Sequence, residues 1–212
     1  MTHYADFRTN DPQTIFSLIA KYPFALICKN GSNGETPDVI NAPVIISENG
    51  KTLEFHFARA NDTWKNIAGG GAVKIIFNGP NAHISPAWYK SRFANDDRSK
   101  TAPTWDYVQA VLEGEVRQMD DVSLVRHLQR LTTHFEGENG WRFSELAPDK
   151  MQVWKTLIGG FIFEIKSTEA IFKLSQEQAS ADQTHIVDAL RARDEGGDKA
   201  VAELISQRPK NN

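Results

Sequence analysis

Short apolar strands joined by hairpin turns constrain the fold of this chain most strongly. Residues 24–28, 39–47 and 52–57 have the apolar or alternating pattern of strands. Asn49-Gly50, between the last two, favours a hairpin turn because both residues tolerate positive φ angles. Hairpins join antiparallel strands, so this order predicts an antiparallel β-barrel rather than a doubly wound parallel sheet.

Helices are predicted at both ends of the strand region and inside it. Asp11-Pro12 is a helix start signal, and an apolar spacing typical of a helix follows to about residue 21. We predict a mainly β protein with added helices (α+β). The predicted domains are a barrel over residues 1–175, with inserted helices at about 120–157, and a helical tail over 176–212. Further strands are predicted over 73–77, 82–85, 107–119 and 161–173, with a polar loop over 90–101.

The composition excludes several classes of protein and of binding site. No run of about 18 apolar residues occurs, and the first residues lack the pattern of a secretory signal, so we expect a cytoplasmic protein without membrane association. The single cysteine, Cys28, excludes an internal disulfide and a thiolate zinc cage. The net charge of −3 gives no general attraction to nucleic acid.

Residues 55–65 carry the clearest indication of a ligand. A strand leads into a short predicted helix over 61–68, with Asn61 as its cap, Arg59 before it, and Thr63 and Lys65 beside its first turn. Unpartnered amides and the helix dipole favour anions at such an end, and phosphate is the usual one. The same residues also fit a capped surface helix with two solvated cations, and spacing alone does not favour the anion site.

Aromatic residues cluster in two segments beside predicted loops, 78–89 and 102–107. These segments hold four of the nine Trp and Tyr residues. Such rings can stack on a planar ligand, or they can seal the end of a barrel or a subunit contact. Combined with the anion site, they suggest a flat, phosphorylated ligand. His83 could face that ligand or make a structural hydrogen bond.

Other chemistries find no support in the sequence. There is no dinucleotide-binding fingerprint, no Walker A sequence and no GxSxG elbow. His127 and His134 lie seven residues apart, too far for an i, i+4 zinc pair, and are predicted to lie on the surface. His56 fits either a satisfied barrel residue or a pocket donor. No metal site is predicted.

These segments, in this order, resemble the PaiB family of FMN-binding split-barrel proteins. The resemblance extends from Phe7 to about Leu190. It is carried by Ala58-Arg59-Ala60-Asn61 with Trp64, Gly79-Pro80, Ile84-Ser85-Pro86-Ala87-Trp88-Tyr89, Pro103-Thr104-Trp105 with Tyr107, residues 159–163 and Phe172-Lys173-Leu174-Ser175-Gln176. Asp62 departs from the pattern, since a Pro is usual there, and it adds a negative charge near the expected phosphate.

The resemblance implies a six-stranded, pyridoxamine-phosphate-oxidase-like split β-barrel with FMN as cofactor. It also implies a homodimer whose flavin site forms where two subunits meet. In the wider split-barrel group, a strand-to-helix turn with Arg, Ser or Thr, and Lys holds the FMN phosphate. The implied cofactor-binding residues are Arg59, Ala60, Asn61, Thr63, Trp64, Lys65, His83, Ser85, Trp88 and Trp105.

The resemblance leaves three functions open. Family members are described as transcriptional regulators, often with repressor activity, so a negative regulator is the first. A flavin-dependent oxidoreductase or flavin reductase is the second, and a haem-binding split barrel, with His56 or His83 as axial ligand, is the third. DNA is a weakly supported partner: Arg191, Arg193 and Arg208 are the candidate phosphate contacts in the tail, where the turn is acidic.

Overall fold

The computed structural model describes residues 4–31, 35–47, 49–90 and 101–208. Most of the predicted loop over 90–101 lies outside these ranges. Short 3₁₀ helices form at Tyr4–Phe7, Pro86–Trp88 and Phe143–Glu145. The strands and α-helices are β1 (Arg8–Thr9), α1 (Pro12–Lys21), β2 (Phe24–Lys29), β3 (Asp38–Ile46), β4 (Thr52–Ala58), α2 (Trp64–Ala68), β5 (Gly71–Ile84), β6 (Thr104–Gln118), α3 (Asp121–Glu136), α4 (Pro148–Leu157), β7 (Ile158–Lys173), α5 (Ser180–Arg193) and α6 (Asp198–Gln207).

The strands form a closed antiparallel barrel. Their order in the sheet is β1-β7-β4-β3-β2-β5-β6, and a further pairing of β7 with β6 closes the ring of six strands, β2 to β7. β1 is a two-residue addition to the edge of β7. The six-stranded antiparallel barrel with added helices, predicted from the sequence, is therefore confirmed.

Alternation along β4 shows how the barrel core is built. Leu53, Phe55 and Phe57 are buried, and the residues between them face the other side of the strand. The ring of Phe55 stacks on that of Phe161 of β7, with centroids 5.3 Å apart. β4 and β7 pair in register from Thr52 opposite Glu164 to Ala58 opposite Ile158. This ladder holds the end of β4, where the predicted phosphate turn begins.

Contacts group the residues into two compact units. Unit 1 comprises residues 1–11, 78–110 and 169–212, and unit 2 comprises residues 12–77 and 111–168. Strands β5, β6 and β7 each run from one unit into the other along the chain.

One strand is longer than predicted. The sequence predicts two strands separated by Gly79-Pro80, but β5 runs without a break over Gly71–Ile84. A proline interrupts a strand only where its missing N–H is needed for the ladder. β2 pairs with β5 only at residues 74–76, so Pro80 lies beyond that ladder.

In unit 2, α3 begins at the predicted place and covers one side of β4. The Asp120 carboxylate caps it by accepting a hydrogen bond from the Ser123 amide at 2.7 Å. Leu124 and Leu128 of α3 are buried with Met119. The prediction that His127 lies on the surface is wrong, because only 1% of this residue is exposed. Its hydrogen-bond partners, Glu54 and His56, lie on β4.

In unit 1, α5 and α6 form a packed pair, which we call the C-terminal helix pair. Ile186 and Leu190 of α5 are buried, as are Val201 and Ile205 of α6. The tail therefore has an apolar core of its own. Within the described ranges, no helix is both long enough and apolar enough to cross a membrane.

Candidate cofactor site

The predicted phosphate-binding residues lie in unit 2, in a tight turn after β4. We call residues 59–65 the phosphate turn. The Asn61 amide donates to the Ala58 carbonyl at 3.0 Å, and the Trp64 amide donates to the Asn61 carbonyl at 2.9 Å. The Asn61 side chain accepts from the Thr63 amide at 3.0 Å and from the Thr63 hydroxyl at 2.7 Å. The turn is thus held by its own backbone and by the Asn61 amide oxygen.

Asn61 shapes the turn, but it is not the helix cap that the sequence predicts. α2 begins only at Trp64 and has five residues, and Thr63 occupies the cap position without a side-chain cap hydrogen bond. The Asn61 side chain accepts from the Thr63 amide within the turn that precedes the helix. A helix this short has a weak dipole, so any affinity for an anion must come mainly from side chains.

Arg59 is held in the phosphate turn by its backbone and by its side chain. Its amide donates to the Leu157 carbonyl at 2.8 Å, and its Nε donates to the Ile158 carbonyl at 2.9 Å. Its guanidinium lies over the Trp64 ring, 4.6 Å from the centroid. The backbone that joins α4 to β7 therefore fixes the orientation of this guanidinium.

Trp64 packs inward, on the barrel. Its ring contacts those of Phe57 and Phe161, with centroids 5.5 and 5.3 Å away. Gly159 makes this packing possible: a Cβ at that position would lie 2.0 Å from the indole Cη2. In unit 2, Trp64 therefore supports the Arg59 guanidinium. Ala60 and Lys65 are exposed, and Thr63 is half-buried.

Lys29 of β2 holds the other end of α2. Its Nζ donates to the Asn66 carbonyl at 2.6 Å and to the Gly70 carbonyl at 2.5 Å. The Asn66 side chain in turn donates to Asp38 Oδ2 at 2.6 Å. Burial lowers the pKa of Lys29, although the Asp38 carboxylate opposes that shift. A cation at a helix C-terminus stabilises the last carbonyls, so Lys29 anchors α2 to the barrel.

A chain of polar groups lies between β4 and α3. His127 Nδ1 is 3.2 Å from Glu54 Oε2, and His127 Nε2 is 3.0 Å from His56 Nδ1. The Glu54 carboxylate can only accept, so His127 Nδ1 donates to it, and in the neutral form of His127 its Nε2 accepts from His56 Nδ1. Burial, followed by the charge on His127, lowers the pKa of His56 to about 4. His56 is thus a neutral, hydrogen-bonded residue at neutral pH.

The predicted aromatic residues lie in unit 1. The Ser85 hydroxyl accepts from the Ala87 amide at 3.3 Å and caps the 3₁₀ helix that contains Trp88. His83 meets Trp105 edge to face, with ring centroids 5.9 Å apart, and Trp105 is 55% exposed. A cleft of about 240 Å³, which we call the aromatic cleft, is lined by His83, Trp105 and Arg193 among others. It is smaller than the roughly 300–1,000 Å³ typical of a site that encloses a whole ligand.

The family signature at the end of β7 is a buried network in unit 1. The Ser175 hydroxyl donates to Asp106 Oδ2 at 2.6 Å, and Lys173 Nζ is 3.2 Å from Asp106 Oδ1. Burial raises the pKa of Asp106. Ser175 has a φ of 52°, which a non-glycine residue rarely adopts. These contacts hold the chain where it leaves the barrel towards α5.

The predicted site residues thus form two groups. Arg59, Ala60, Asn61, Thr63, Trp64 and Lys65 share the phosphate turn of unit 2, whereas His83, Ser85, Trp88 and Trp105 share one region of unit 1. The buried or structural contacts of Lys29, His127 and Arg193 were not predicted from the sequence. Arg193 lies five residues before Asp198 across a Gly-Gly turn, and that spacing was the one available sign of an ion pair. Within the described residues, no three His, Cys, Asp or Glu side chains gather as metal ligands.

Solved structures share the fold at low sequence identity. The FAD and haem binding protein of Mycobacterium smegmatis superimposes with a TM-score of 0.59 and 13% identity, covering 79% of this chain and 73% of that one. The flavocytochrome Anf3 of Azotobacter vinelandii also gives a TM-score of 0.59 and 13% identity, covering 81% and 72%. At such identities these likenesses establish the fold alone.

Sequence comparison gives the family. The chain is 26% identical over 157 residues to "Protease synthase and sporulation protein PAI 2" of Bacillus subtilis (strain 168), covering 73% of this chain and 72% of the relative. The profile of the family described as "Putative FMN-binding domain" matches residues 1–167. The chain therefore belongs to this PaiB-type family of FMN-binding split-barrel proteins, as its sequence motifs predict.

Proposed function

We propose that this protein binds FMN through the phosphate turn of unit 2, with Arg59 and Lys65 holding the phosphate, since both donors of Thr63 are used by Asn61 Oδ1. The observation that carries the proposal is the fixed Arg59 guanidinium. Two contacts hold it, to the Ile158 carbonyl and to the Trp64 ring, at the start of a turn that also carries Lys65. An oriented guanidinium and an exposed ammonium suit a dianionic phosphate. When bound, the flavin ring supplies electron or hydride transfer.

For unit 1 taken by itself, we propose that its aromatic group provides contacts to a planar ring. His83, Trp88 and Trp105 are partly or largely exposed, and two of them line the aromatic cleft. Side chains that combine an apolar face with a polar edge suit a planar heteroaromatic ring. The role of Ser85 is to cap the segment that carries Trp88.

The proposal includes a homodimer with the flavin site at its interface. Several large apolar side chains of unit 2 are exposed, among them Val153, Trp154 and Leu157 of α4. Exposed apolar patches on a folded protein commonly mark an interaction surface. The Leu157 carbonyl accepts the Arg59 amide, so this apolar end of α4 lies next to the phosphate turn.

An FMN titration tests the proposal. Quenching of flavin fluorescence gives the Kd for the wild type, for Arg59→Gln and for Lys65→Gln. A hydrogen bond to a charged group contributes about 1.5–3 kcal/mol, so each variant should weaken binding by about tenfold or more. Lys51→Gln, which removes one exposed charge beyond β3, should leave the Kd unchanged. Equal Kd values for all four proteins would contradict the site, provided that thermal unfolding shows each variant folded.

The same samples separate the cofactor alternatives. The visible spectrum of the purified protein, with FMN and separately with haemin, should show a shifted flavin band and no Soret shift on haemin addition. A Soret shift without flavin binding would favour the haem alternative.

We propose a negative regulatory role in transcription for the flavin-bound protein. Its support is the likeness to the relative whose name refers to protease synthesis and sporulation. Gel shifts with promoter DNA, repeated across salt concentrations with and without FMN, test it, because a DNA-binding regulator shows a steep salt dependence. If DNA does not bind while FMN-dependent NAD(P)H oxidation is measurable, the oxidoreductase alternative is favoured.

A further inference from the structure

We propose that Arg193, in the C-terminal helix pair, is a positioning residue for the proposed ring contacts of unit 1. The proposal rests on the proposed function, because it takes His83 and Trp88 as ring contacts. Arg193 itself lies beyond residues 1–167, which the family profile matches. All the groups that carry the inference belong to unit 1.

Arg193 contacts both aromatic residues directly. Its Nη2 donates to the His83 carbonyl at 3.0 Å. Its guanidinium carbon lies 5.1 Å from the centroid of the Trp88 ring, within the range of a cation–π contact. One side chain of α5 therefore fixes the backbone at His83 and one face of Trp88.

The guanidinium is itself held from the other side by α6. Its Nε and Nη2 donate to the two carboxylate oxygens of Asp198 at 2.7 and 2.6 Å. Asp198 is 2% exposed, and it also accepts the Glu195 amide at 3.1 Å. This bidentate pairing leaves the Arg193 side chain little freedom, so a movement of the helix pair must move Arg193 with it.

The turn between α5 and α6 packs against β5, two residues before His83. A Cβ at Gly197 would lie 2.4 Å from the Asn81 carbonyl oxygen, so the two backbones approach as closely as glycine allows. Asp194 and Gly196 adopt φ angles of 53° and 51° to make this turn. The contact is therefore built into the backbone as well as into the Arg193 side chain.

The geometry has a thermodynamic consequence. Arg193 lines the aromatic cleft together with His83 and Trp105. If Arg193 orders the ring contacts, a change that frees its side chain must weaken binding of the ligand. By reciprocity, a bound ligand must stabilise the helix pair. The stability of the helix pair then depends on whether a ligand occupies the aromatic contacts.

Three variants test the inference by FMN titration, visible circular dichroism of the bound flavin and thermal unfolding. Arg193→Gln should raise the Kd for FMN at least fivefold and reduce the flavin dichroism. Arg193→Lys should recover only part of the loss, because an ammonium cannot replace the bidentate fork. Arg191→Gln removes the same charge from the same helix at an exposed position and should change the Kd by less than twofold.

A general loss of stability is separated from positioning by Val201→Ala. Val201 is fully buried within α6, so this change should lower the melting temperature without touching Arg193 and leave the Kd near the wild-type value. A Kd that follows melting temperature across all variants, or an unchanged Kd in Arg193→Gln, overturns the positioning role while FMN binding stands. A wild type that binds no FMN overturns both proposals.

Discussion

At the scale of single residues, His56 couples the fold to pH. Its pKa is about 4 in the folded protein, mainly because it is buried, against about 6.5 when unfolded. Between these values the unfolded state binds a proton that the folded state excludes. The free energy of unfolding should therefore fall as pH drops from about 6.5 to about 4, by up to about 3 kcal/mol from this group.

Urea unfolding at several pH values checks this expectation. His56→Gln should flatten the slope between about pH 4 and 6.5, whereas His134→Gln, exposed on the same helix as His127, should keep the wild-type slope. Burial alone would raise the pKa of Glu54, but His127 and Arg130 lower it overall. Protonation of Glu54 should therefore lower the free energy of unfolding further at more acidic pH. A slope that survives in His56→Gln would show that another group causes it.

The sequence predicted the positions of Arg59 and Lys65, before and within a short helix, and the structure has them there. Their role in binding a phosphate stays a prediction. The burial of His127 could not be predicted, because its partner Glu54 is 73 residues away in the sequence and belongs to β4. A polar residue on an amphipathic helix is expected on the surface unless a distant element supplies its hydrogen bond.

At the scale of elements, α2 depends on Lys29. Lys29→Met would keep much of the side-chain volume but would remove the donor to the Asn66 and Gly70 carbonyls. Leaving partly buried acceptors without a donor should lower the free energy of unfolding by about 1–3 kcal/mol. It should also weaken FMN binding, because α2 follows directly on the phosphate turn.

Urea unfolding and FMN titration of the same variants measure the two effects. Lys21→Met, an exposed lysine at the end of α1, is the matched control and should change neither. Full wild-type stability in Lys29→Met would show that water replaces the ammonium without cost.

Local sequence patterns located most elements but not all of their ends. α1 begins at Pro12, as its start signal predicts, and α3 begins at Asp121, beside the predicted start at about residue 120. α2 begins at Trp64, later than predicted, because Thr63 rather than Asn61 occupies its cap position. β5 continues through Pro80, which lies beyond the residues that pair with β2. A local pattern shows neither which residue caps a helix nor where a strand loses its partner.

At the scale of the whole molecule, antiparallel hairpins and family motifs were enough to predict a six-stranded barrel. The pairing of β7 with β6 that closes it is a non-local contact, which the resemblance rather than the strand pattern implied. The C-terminal helix pair lies within the helical tail that was predicted over 176–212. Its seating on the backbone at Asn81 through Gly197 was not predicted, because only the folded chain brings these residues together.

The central claim is that the phosphate of FMN is recognised by the phosphate turn. Isothermal titration of the wild type with FMN and with riboflavin, which lacks the phosphate, tests it most directly. Charge-assisted contacts to the phosphate should make FMN bind at least about tenfold more tightly than riboflavin. Arg59→Gln should reduce that ratio towards one. Equal affinities of the wild type for FMN and riboflavin would contradict the claim.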